Sequence, residues 1–338
     1  MGMKIGLDQT PARELYKLEA AGLLALAHEC GYEGVMFSDP ALKTDGDLRR
    51  RIREQAASWN MYVELGGGPI DIALSGKSPE DMLEDWKVCL DMAADTGAKV
   101  LLTSLGFWPW KTRGLEEPGK TLPEQLSGGI AMLGRVCRLA EPYGIDITIH
   151  TSFYTADEYL QIMTAVDSPR AGLCLDTANA FLVMEEPVTF ATRVAPHVRS
   201  THLKDSCIYL TENGIDWMGG MEAGTGSVDL ETIVRILFQA NPGINLSFED
   251  HWGRTMIPAY DKSFMATLPP APSETLSSLL SHLAVGRGKL DGGSIPSAAE
   301  AKKMDWPTLF KDRIQRNAAY LKLLRDRITA GEGTVNHG

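Results

Sequence analysis

The chain has 338 residues and a formal net charge of −11, which argues against a nucleic-acid partner because binding to phosphates needs a basic surface. Its 44% hydrophobic and 23% charged residues are ordinary for a globular protein, and no apolar run approaches the length of a membrane span. The five cysteines are scattered without a CxxC pair and no signal peptide is predicted, so we expect reduced thiols and a cytoplasmic location.

Short apolar runs bounded by turn signals recur along the chain, and each is followed by apolar residues at helical spacing. Runs of four to six such residues are typical of buried strands. They lie at 4–7, 34–37, 61–65, 99–104, 145–150, 172–176, 198–202 and 244–249. Start and stop signals flank the helical patterns, as at Ser78 before Pro79 and at Gly97. Eight strand–helix units are the number found in a TIM barrel, so the sequence predicts an α/β fold of the (β/α)8 class.

The pattern changes after the eighth run. Residues 253–303 are rich in proline, glycine and serine, with a short helix expected at 273–283. Segments of this length inside a domain are usually functional, so we expect a long insertion or lid over the rim of the barrel. The final helix, expected at 306–328, would complete the barrel. The sequence therefore predicts a single domain over 1–330 and a flexible tail at 331–338.

The fifth to eighth runs all end in a residue that binds metals, namely His150, Asp176, His202 and Glu249. Because the carboxyl ends of parallel strands meet at one rim, these side chains are expected to converge there. Two imidazoles and two carboxylates suit a divalent metal ion. Taken singly, Asp176 fits a helix cap as well as it fits a ligand, and a lone histidine such as His202 is more commonly a core residue. The prediction therefore depends on the four occurring together.

Four motifs carry a family resemblance, and they read Leu175-Asp-Thr177, His202-Leu-Lys-Asp205, Gly224-Thr-Gly226 followed by Asp229, and Glu249. In combination they resemble the sugar phosphate isomerase/epimerase superfamily, the xylose isomerase-like TIM barrels. The resemblance covers roughly residues 3–252 and the last helix. It implies one divalent ion held by glutamate, aspartate, histidine and glutamate from strands five to eight, of which the last three fall on Asp176, His202 and Glu249.

His150 departs from that pattern, since it stands where the family has a glutamate. Histidine removes one negative charge and shifts the preference toward zinc, cobalt, nickel or manganese. We expect manganese, with magnesium as a further alternative. The resemblance also implies two opposed glutamate bases, so His150 is here either a metal ligand or a base. A second departure is Asn179, at a position where the family often has histidine.

Three residues are candidates for catalysis. Glu249 and His150 are predicted to transfer protons, since a carboxylate or an imidazole near the substrate can act as a general base. Lys204 has two interpretations, because it can polarise a substrate oxygen or form an ion pair with Asp205 at the rim. The neighbouring turn at Gly224–Gly226 does not follow a strand, so it is interpreted as a rim turn and not as a phosphate-binding loop.

Four residues are candidates for substrate contacts, namely Trp108, Asn179, His251 and Arg254. Trp108 belongs to an aromatic loop at 107–110, which either packs in the core or stacks on a sugar ring at the rim. His251 and Arg254 follow Glu249 closely and are therefore expected at the same rim. Asn179 follows Asp176 by three residues and has helix capping as its alternative.

The resemblance implies a metal-dependent enzyme that transfers a proton next to a sugar carbonyl through an enediolate. Isomerisation and epimerisation both follow from such an intermediate. Expulsion of a β-substituent instead gives a lyase, as in the C-glycoside deglycosidases, whose catalytic subunits resemble this barrel. An AP endonuclease-like phosphodiesterase is disfavoured by the net charge and the seven histidines, and a non-enzymatic sugar-binding barrel is the remaining alternative.

The expected partner is a small-molecule sugar or glycoside. A homo-oligomer is also expected, with a small partner subunit if the enzyme is deglycosidase-like. Neither a nucleic acid nor a membrane is expected as a partner.

Overall fold

Parallel strands form a closed barrel at the centre of the protein. The computed structural model describes residues 2–9, 17–106, 113, 121–250 and 253–331. The strands in these ranges are β1 (Ile5–Asp8), β2 (Gly34–Phe37), β3 (Tyr62–Gly66), β4 (Val100–Thr103), β5 (Asp146–His150), β6 (Ala171–Asp176), β7 (Val198–His202), β8 (Asp205–Thr211), β9 (Gly214–Met221), β10 (Leu246–Phe248) and β11 (Gly253–Ile257). Eight of them, β1 to β7 and β10, make one parallel sheet in the order β10-β1-β2-β3-β4-β5-β6-β7.

Main-chain hydrogen bonds close this sheet into a ring between β7 and β10. Leu203 N donates to Ser247 O, and Glu249 N donates to Leu203 O, both at 2.8 Å. The predicted (β/α)8 barrel is therefore confirmed. Because β5, β6, β7 and β10 are consecutive around the ring, their carboxyl ends lie side by side at one rim.

Helices alternate with the barrel strands. They are α1 (Ala20–Glu29), α2 (Gly46–Ser58), α3 (Ile72–Ser75), α4 (Pro79–Thr96), α5 (Leu122–Ala140), α6 (Ala156–Val166), α7 (Pro187–Val194), α8 (Leu230–Ala240), α9 (Lys262–Met265), α10 (Ser273–Asp291), α11 (Ala298–Ala301) and α12 (Trp306–Thr329). The predicted signals at α4 are confirmed, since Asp81 N donates to Ser78 Oγ at 3.1 Å and Gly97 ends the helix with a φ of 81°. Within the described ranges, no helix has both the length and the hydropathy needed to cross a bilayer.

Tyr62 fills the amino-terminal half of the barrel interior. Its hydroxyl lies 2.8 Å from Ser247 Oγ, so the side chain reaches from β3 to β10 across two intervening strands. Gly6 and Gly34 make room for it, because a Cβ at either position would lie within 2.1 Å of a Tyr62 atom. With this end filled, the carboxyl end of the barrel is the end open to a ligand, as in other TIM barrels.

A second sheet, which was not predicted, lies outside the barrel. Strands β8 and β9 form an antiparallel hairpin, and β11 pairs antiparallel with the other edge of β9. The Asn213-Gly214 pair at the hairpin turn is a turn signal that would have indicated it. The hairpin follows β7 directly, so it projects from the rim where the ligand-type side chains lie.

The insertion contains more regular structure than expected. Its helix α10 continues to Asp291, eight residues past the predicted end at 283. Glycines in this stretch indicated irregular structure, yet Gly286 lies within the helix. A glycine is needed there because α10 packs closely on β8, so that a Cβ would lie 2.1 Å from Ile208 O. The predicted end of this helix at residue 283 is therefore wrong.

Contacts tie the insertion to loops at the carboxyl end of the barrel. Arg113, in the loop after β4, donates from Nη1 to Thr267 O at 2.7 Å. His282 Nε2 lies 3.6 Å from Glu186 Oε1, in the loop after β6. The role of residues 253–303 as a lid and the single domain over 1–330 stay predictions. The predicted flexible tail lies almost wholly outside the described residues.

Candidate metal centre

The four predicted ligands meet at the carboxyl end of the barrel. One nitrogen or oxygen from each of His150, Asp176, His202 and Glu249 lies within 4.8 Å of the others. His150 Nε2 is 3.4 Å from Asp176 Oδ2, and His202 Nδ1 is 3.4 Å from Glu249 Oε2. Neighbouring ligands of one ion, each about 2.1 Å from it, stand roughly 3.0–3.4 Å apart. The spacing therefore fits a single ion.

The inward-facing nitrogens also fit an ion. His150 Nε2 and His202 Nδ1 are both buried, and neither has a hydrogen bond of normal geometry to the described residues. A buried polar atom without a partner costs free energy, so such atoms usually mark a missing ligand or water. Two nitrogens with two carboxylates form a donor set that accepts zinc, manganese, cobalt or nickel. The residues present thus fit the divalent ion that was predicted.

Asp176 serves as a cap and a candidate ligand at once. Its Oδ1 accepts from the backbone N–H groups of Ala178 and Asn179 at 2.9 and 3.1 Å, which caps the short turn after β6. Its Oδ2 faces His150. The two interpretations of this residue in the sequence are therefore compatible, because each uses a different oxygen.

A hydrogen-bonded chain orients His150. Asn179 Nδ2 donates to Ser152 Oγ at 2.9 Å, and Ser152 Oγ lies 2.6 Å from His150 Nδ1. Tyr159 also holds this loop, since its hydroxyl donates to His150 O and accepts from Ser152 N. A metal-binding histidine usually has its other nitrogen held in this way, which fixes the tautomer and the ring orientation. Asn179, predicted as a substrate contact, is thus placed where it supports His150.

Ser152→Ala is expected to weaken metal affinity by roughly 10–100-fold, because the hydroxyl that orients His150 is lost. A metal titration against a competing chelator measures this. Ser206→Ala is the matched control, since Ser206 Oγ is buried without a hydrogen bond to described residues and its removal leaves the centre intact. Equal affinities of the Ser152 variant and the wild type would show that the hydroxyl does not position the ring.

His202 is held from its outer side. Its Nε2 lies 3.6 Å from Asp8 Oδ2 and 2.8 Å from Met36 Sδ, so Nδ1 is the nitrogen that faces Glu249. Burial alone would lower the pKa of His202, but the carboxylates of Asp8 and Glu249 outweigh it and raise the pKa to about 9. In the ion-free protein this imidazole is therefore protonated at neutral pH.

This raised pKa predicts that metal affinity depends on pH. His202 must release a proton before Nδ1 can bind an ion, so apparent affinity should rise with pH and level off near pH 9. Titrations across this range measure the slope, which should fall in Asp8→Asn because that variant lowers the pKa of His202. An affinity that is constant between neutral pH and pH 9 would contradict His202 ligation.

Lys204 lies beside the ligands and not beside Asp205. Its Nζ is 3.0 Å from Asp176 Oδ2 and 2.8 Å from Glu249 Oε2, and the residue is 3% exposed. Asp205 instead accepts from the backbone N–H groups of Gly224 and Gly226 at 2.9 and 2.8 Å. The Lys204–Asp205 ion pair, one of two interpretations from the sequence, is therefore wrong. The Gly224–Gly226 turn holds a carboxylate of the protein itself.

Arg254 lies on the second sheet. Its guanidinium pairs with Asp216 and with the hydroxyl of Tyr209. Arg254 is opposite Met218 on β9, so it lies on the face of the sheet opposite Trp217, whose ring lies 5.7 Å from Lys204 Nζ. This placement gives no support to the predicted substrate contact, because the side chain points away from the ligands. The other two candidates, Trp108 and His251, lie outside the described residues.

Three residues at the site were not predicted, namely Asp8, Ser152 and Trp217. Asp8 ends β1 as Asp176 ends β6, so the same strand-end pattern would have indicated it. Ser152 carries no signal apart from its closeness to His150. Trp217 belongs to the hairpin that was not predicted; its Nε1 donates to Ala178 O at 3.2 Å.

Comparisons with known proteins agree with this fold. A family model described as "Xylose isomerase-like TIM barrel" matches residues 24–274. Over 128 residues the chain is 29% identical to 3-oxo-isoapionate decarboxylase from Pectobacterium atrosepticum, a match that covers 36% of this chain and 45% of that enzyme. The chain thus matches less than half the length of this relative.

Solved structures share the fold at low sequence identity. A structure of L-ribulose 3-epimerase superposes with a TM-score of 0.60 at 18% identity and covers 99% of both chains. A structure of "IOLI protein with a binding zinc atom" superposes with a TM-score of 0.58 at 14% identity, over 83% of this chain and 96% of that one. At these identities the similarity establishes the fold.

Proposed function

Since this chain belongs to the xylose isomerase-like TIM barrel family, we propose that it is a divalent-metal-dependent enzyme that transfers a proton next to a sugar carbonyl. The observation that supports this most is the convergence of four ligand-type side chains at the open end of the barrel. His150 Nε2, Asp176 Oδ2, His202 Nδ1 and Glu249 Oε2 would hold the ion. A divalent ion bound there would supply Lewis-acid stabilisation of negative charge on the carbonyl oxygen.

Glu249 is the residue we propose as the base. Its carboxylate lies at the rim just after β10, where a substrate at the open end of the barrel can reach it. His150 is less suited to this role, because Ser152 holds its Nδ1 while Nε2 faces Asp176. The asymmetry between these two residues is the main difference from an epimerase with two glutamate bases.

Lys204 is proposed to donate a hydrogen bond to the substrate oxygen that gains negative charge. Burial opposes its positive charge, but the carboxylates of Asp176 and Glu249 outweigh burial and raise the pKa of Lys204 well above its usual range. In the ion-free protein Lys204 is therefore a hydrogen-bond donor and not a base. A donor aimed at a developing oxyanion in a buried site is a strong contribution to catalysis.

A second candidate is decarboxylation of a 3-oxo sugar acid, which the match to a decarboxylase favours. Loss of carbon dioxide leaves an electron pair on the carbon next to the carbonyl, as loss of a proton does, and both give an enediolate. The same donors stabilise it in both reactions, but decarboxylation needs no base for the first step. Elimination from a 3-oxo-glycoside, the lyase alternative from the sequence, also passes through such an intermediate.

Product analysis separates these reactions. The protein, loaded with manganese or zinc, is incubated in D2O with ketoses, 3-oxo-glycosides and 3-oxo sugar acids, and the products are identified by mass spectrometry. Proton transfer predicts an isomer or epimer that carries deuterium, decarboxylation predicts carbon dioxide release, and elimination predicts a free aglycone. Turnover that is unchanged after complete metal removal would contradict the proposal, as would absence of turnover with every substrate class.

A further inference from the structure

Lys204 occupies an unusual position among the candidate ligands. Its ammonium contacts Asp176 Oδ2 and Glu249 Oε2, which are the same two oxygens that face the imidazoles of His150 and His202. In the ion-free protein it is therefore a counter-cation of both carboxylates, and Glu249 also faces the protonated imidazole of His202. A divalent ion held by the four side chains would bind the same oxygens, and as a second cation close to Lys204 it would repel the ammonium.

The surroundings of Lys204 leave its ammonium little access to water. The side chain is 4% exposed, and the Trp217 ring lies 5.7 Å from Nζ, fixed by its own hydrogen bond to Ala178 O. Water therefore has poor access to the ammonium. A buried charge that loses its partners is costly, so the ammonium requires a new anionic partner once an ion has taken the carboxylates.

The charges around Lys204 also indicate that its ammonium needs a further anionic partner once an ion is bound. The ion would bring two positive charges and Lys204 brings one, against the two carboxylates of Asp176 and Glu249. His150 contributes no charge, whereas the glutamate that the family has at that position would contribute a negative one. Asp8 lies 3.6 Å from His202 Nε2, whereas Glu249, the partner of Lys204, faces the other ring nitrogen, Nδ1. The face that Lys204 shares with the ligands therefore has one positive charge in excess.

Resting on the metal-dependent function proposed above, we propose that metal uptake releases Lys204 from the carboxylates and that its ammonium then pairs with a carboxylate of the substrate. Its three N–H donors allow this ion pair alongside the hydrogen bond to the oxygen that gains negative charge. The substrate class is accordingly the sugar acids and not neutral sugars. No covalent step is involved in this recognition. Lys204 selects the substrate by charge, and the apolar face of Trp217 limits access of water to that ion pair.

The first test measures the release of Lys204 in the wild-type protein. Acetylation of lysines by acetic anhydride is followed by mass spectrometry with and without zinc. We expect Lys204 to react faster when zinc is bound, and more slowly again when D-gluconate is added. Lys289 is an internal control, since its Nζ donates to Thr225 O on the surface. A Lys204 rate that zinc leaves unchanged or lowers would overturn the proposed release.

The second test measures competition and selectivity. Lys204→Met should bind zinc roughly tenfold more tightly than the wild type, because a charged hydrogen-bonded competitor is removed. By calorimetry, the zinc-loaded wild type should prefer D-gluconate to the uncharged D-glucitol. That preference should fall roughly tenfold in Lys204→Met and should also fall in His150→Glu, which restores a negative charge. Lys289→Met should match the wild type in both measurements.

The outcomes separate this inference from the function on which it rests. If the wild type binds no zinc or manganese, the proposed metal-dependent function fails together with the inference. If metal binds and turnover occurs, but gluconate and glucitol bind equally well, only the inference is overturned. Weaker zinc binding by Lys204→Met would likewise overturn it, because Lys204 would then support the ligands and not compete with the ion.

Discussion

Asp176→Asn is expected to lose metal and to lower turnover by roughly a thousandfold or more, since Lewis-acid stabilisation is worth several kcal/mol. Asparagine keeps the Oδ1 that caps the turn after β6, so Ala178 N and Asn179 N retain their acceptor. It replaces Oδ2 by an amide nitrogen that cannot bind a cation and that faces Lys204 Nζ. The variant thereby removes the ligand and preserves the cap. Metal analysis and steady-state kinetics measure the result.

Asp229→Asn is the matched control for this substitution. Asp229 caps α8 by accepting from Thr232 N at 3.0 Å, and asparagine is an equally good cap. This variant should keep the metal content and turnover of the wild type. Full metal content in Asp176→Asn would instead remove Asp176 from the ligand set and leave it with the role of a cap.

His150→Ala is expected to weaken zinc binding more than the roughly 10–100-fold of a residue that only orients a ligand, because it removes a ligand itself. His150→Glu should keep an ion but shift the preference from zinc toward manganese or magnesium, since an oxygen replaces a nitrogen. Affinities for the three metals, measured by competition with a chelator, show the shift. A wild-type metal content in His150→Ala with turnover abolished would reject ligation and identify His150 as a base.

The barrel was predictable because each strand is a short apolar run with its own turn signals. The strand ends also located the candidate metal centre, since His150, Asp176, His202 and Glu249 each close such a run. Parallel strands bring their carboxyl ends to one rim whatever the details of packing. Residues far apart in the chain could therefore be assigned to one site without knowledge of their side-chain contacts.

The partners of the site residues were not predictable in the same way. Lys204 and Asp205 are neighbours in sequence and of opposite charge, yet they contact different groups, and each is held by residues distant in the chain. The contact of Asn179 with a substrate stays a prediction, but the sequence did not indicate that its amide donates to Ser152. Which partner each side chain contacts depends on its direction after packing. The pattern of residue types does not give that direction.

The second sheet was not predicted for a different reason, which is the composition of its strands. Its β9 strand carries Gly219 and Gly220 beside Trp217, a composition that weakens a strand signal. Gly219 is tolerated because the Trp217 ring takes the space of a side chain: a Cβ at Gly219 would lie 2.1 Å from that ring. Tertiary packing therefore outweighed local propensity, and it also placed Trp217 beside Lys204.

Anomalous diffraction at a metal absorption edge tests the proposed centre most directly. Crystals grown with zinc or manganese should show one strong peak per chain, roughly 2.0–2.2 Å from His150 Nε2, Asp176 Oδ2, His202 Nδ1 and Glu249 Oε2. A peak elsewhere in the chain, or one that lies beyond bonding distance of His150, would contradict the four-ligand site.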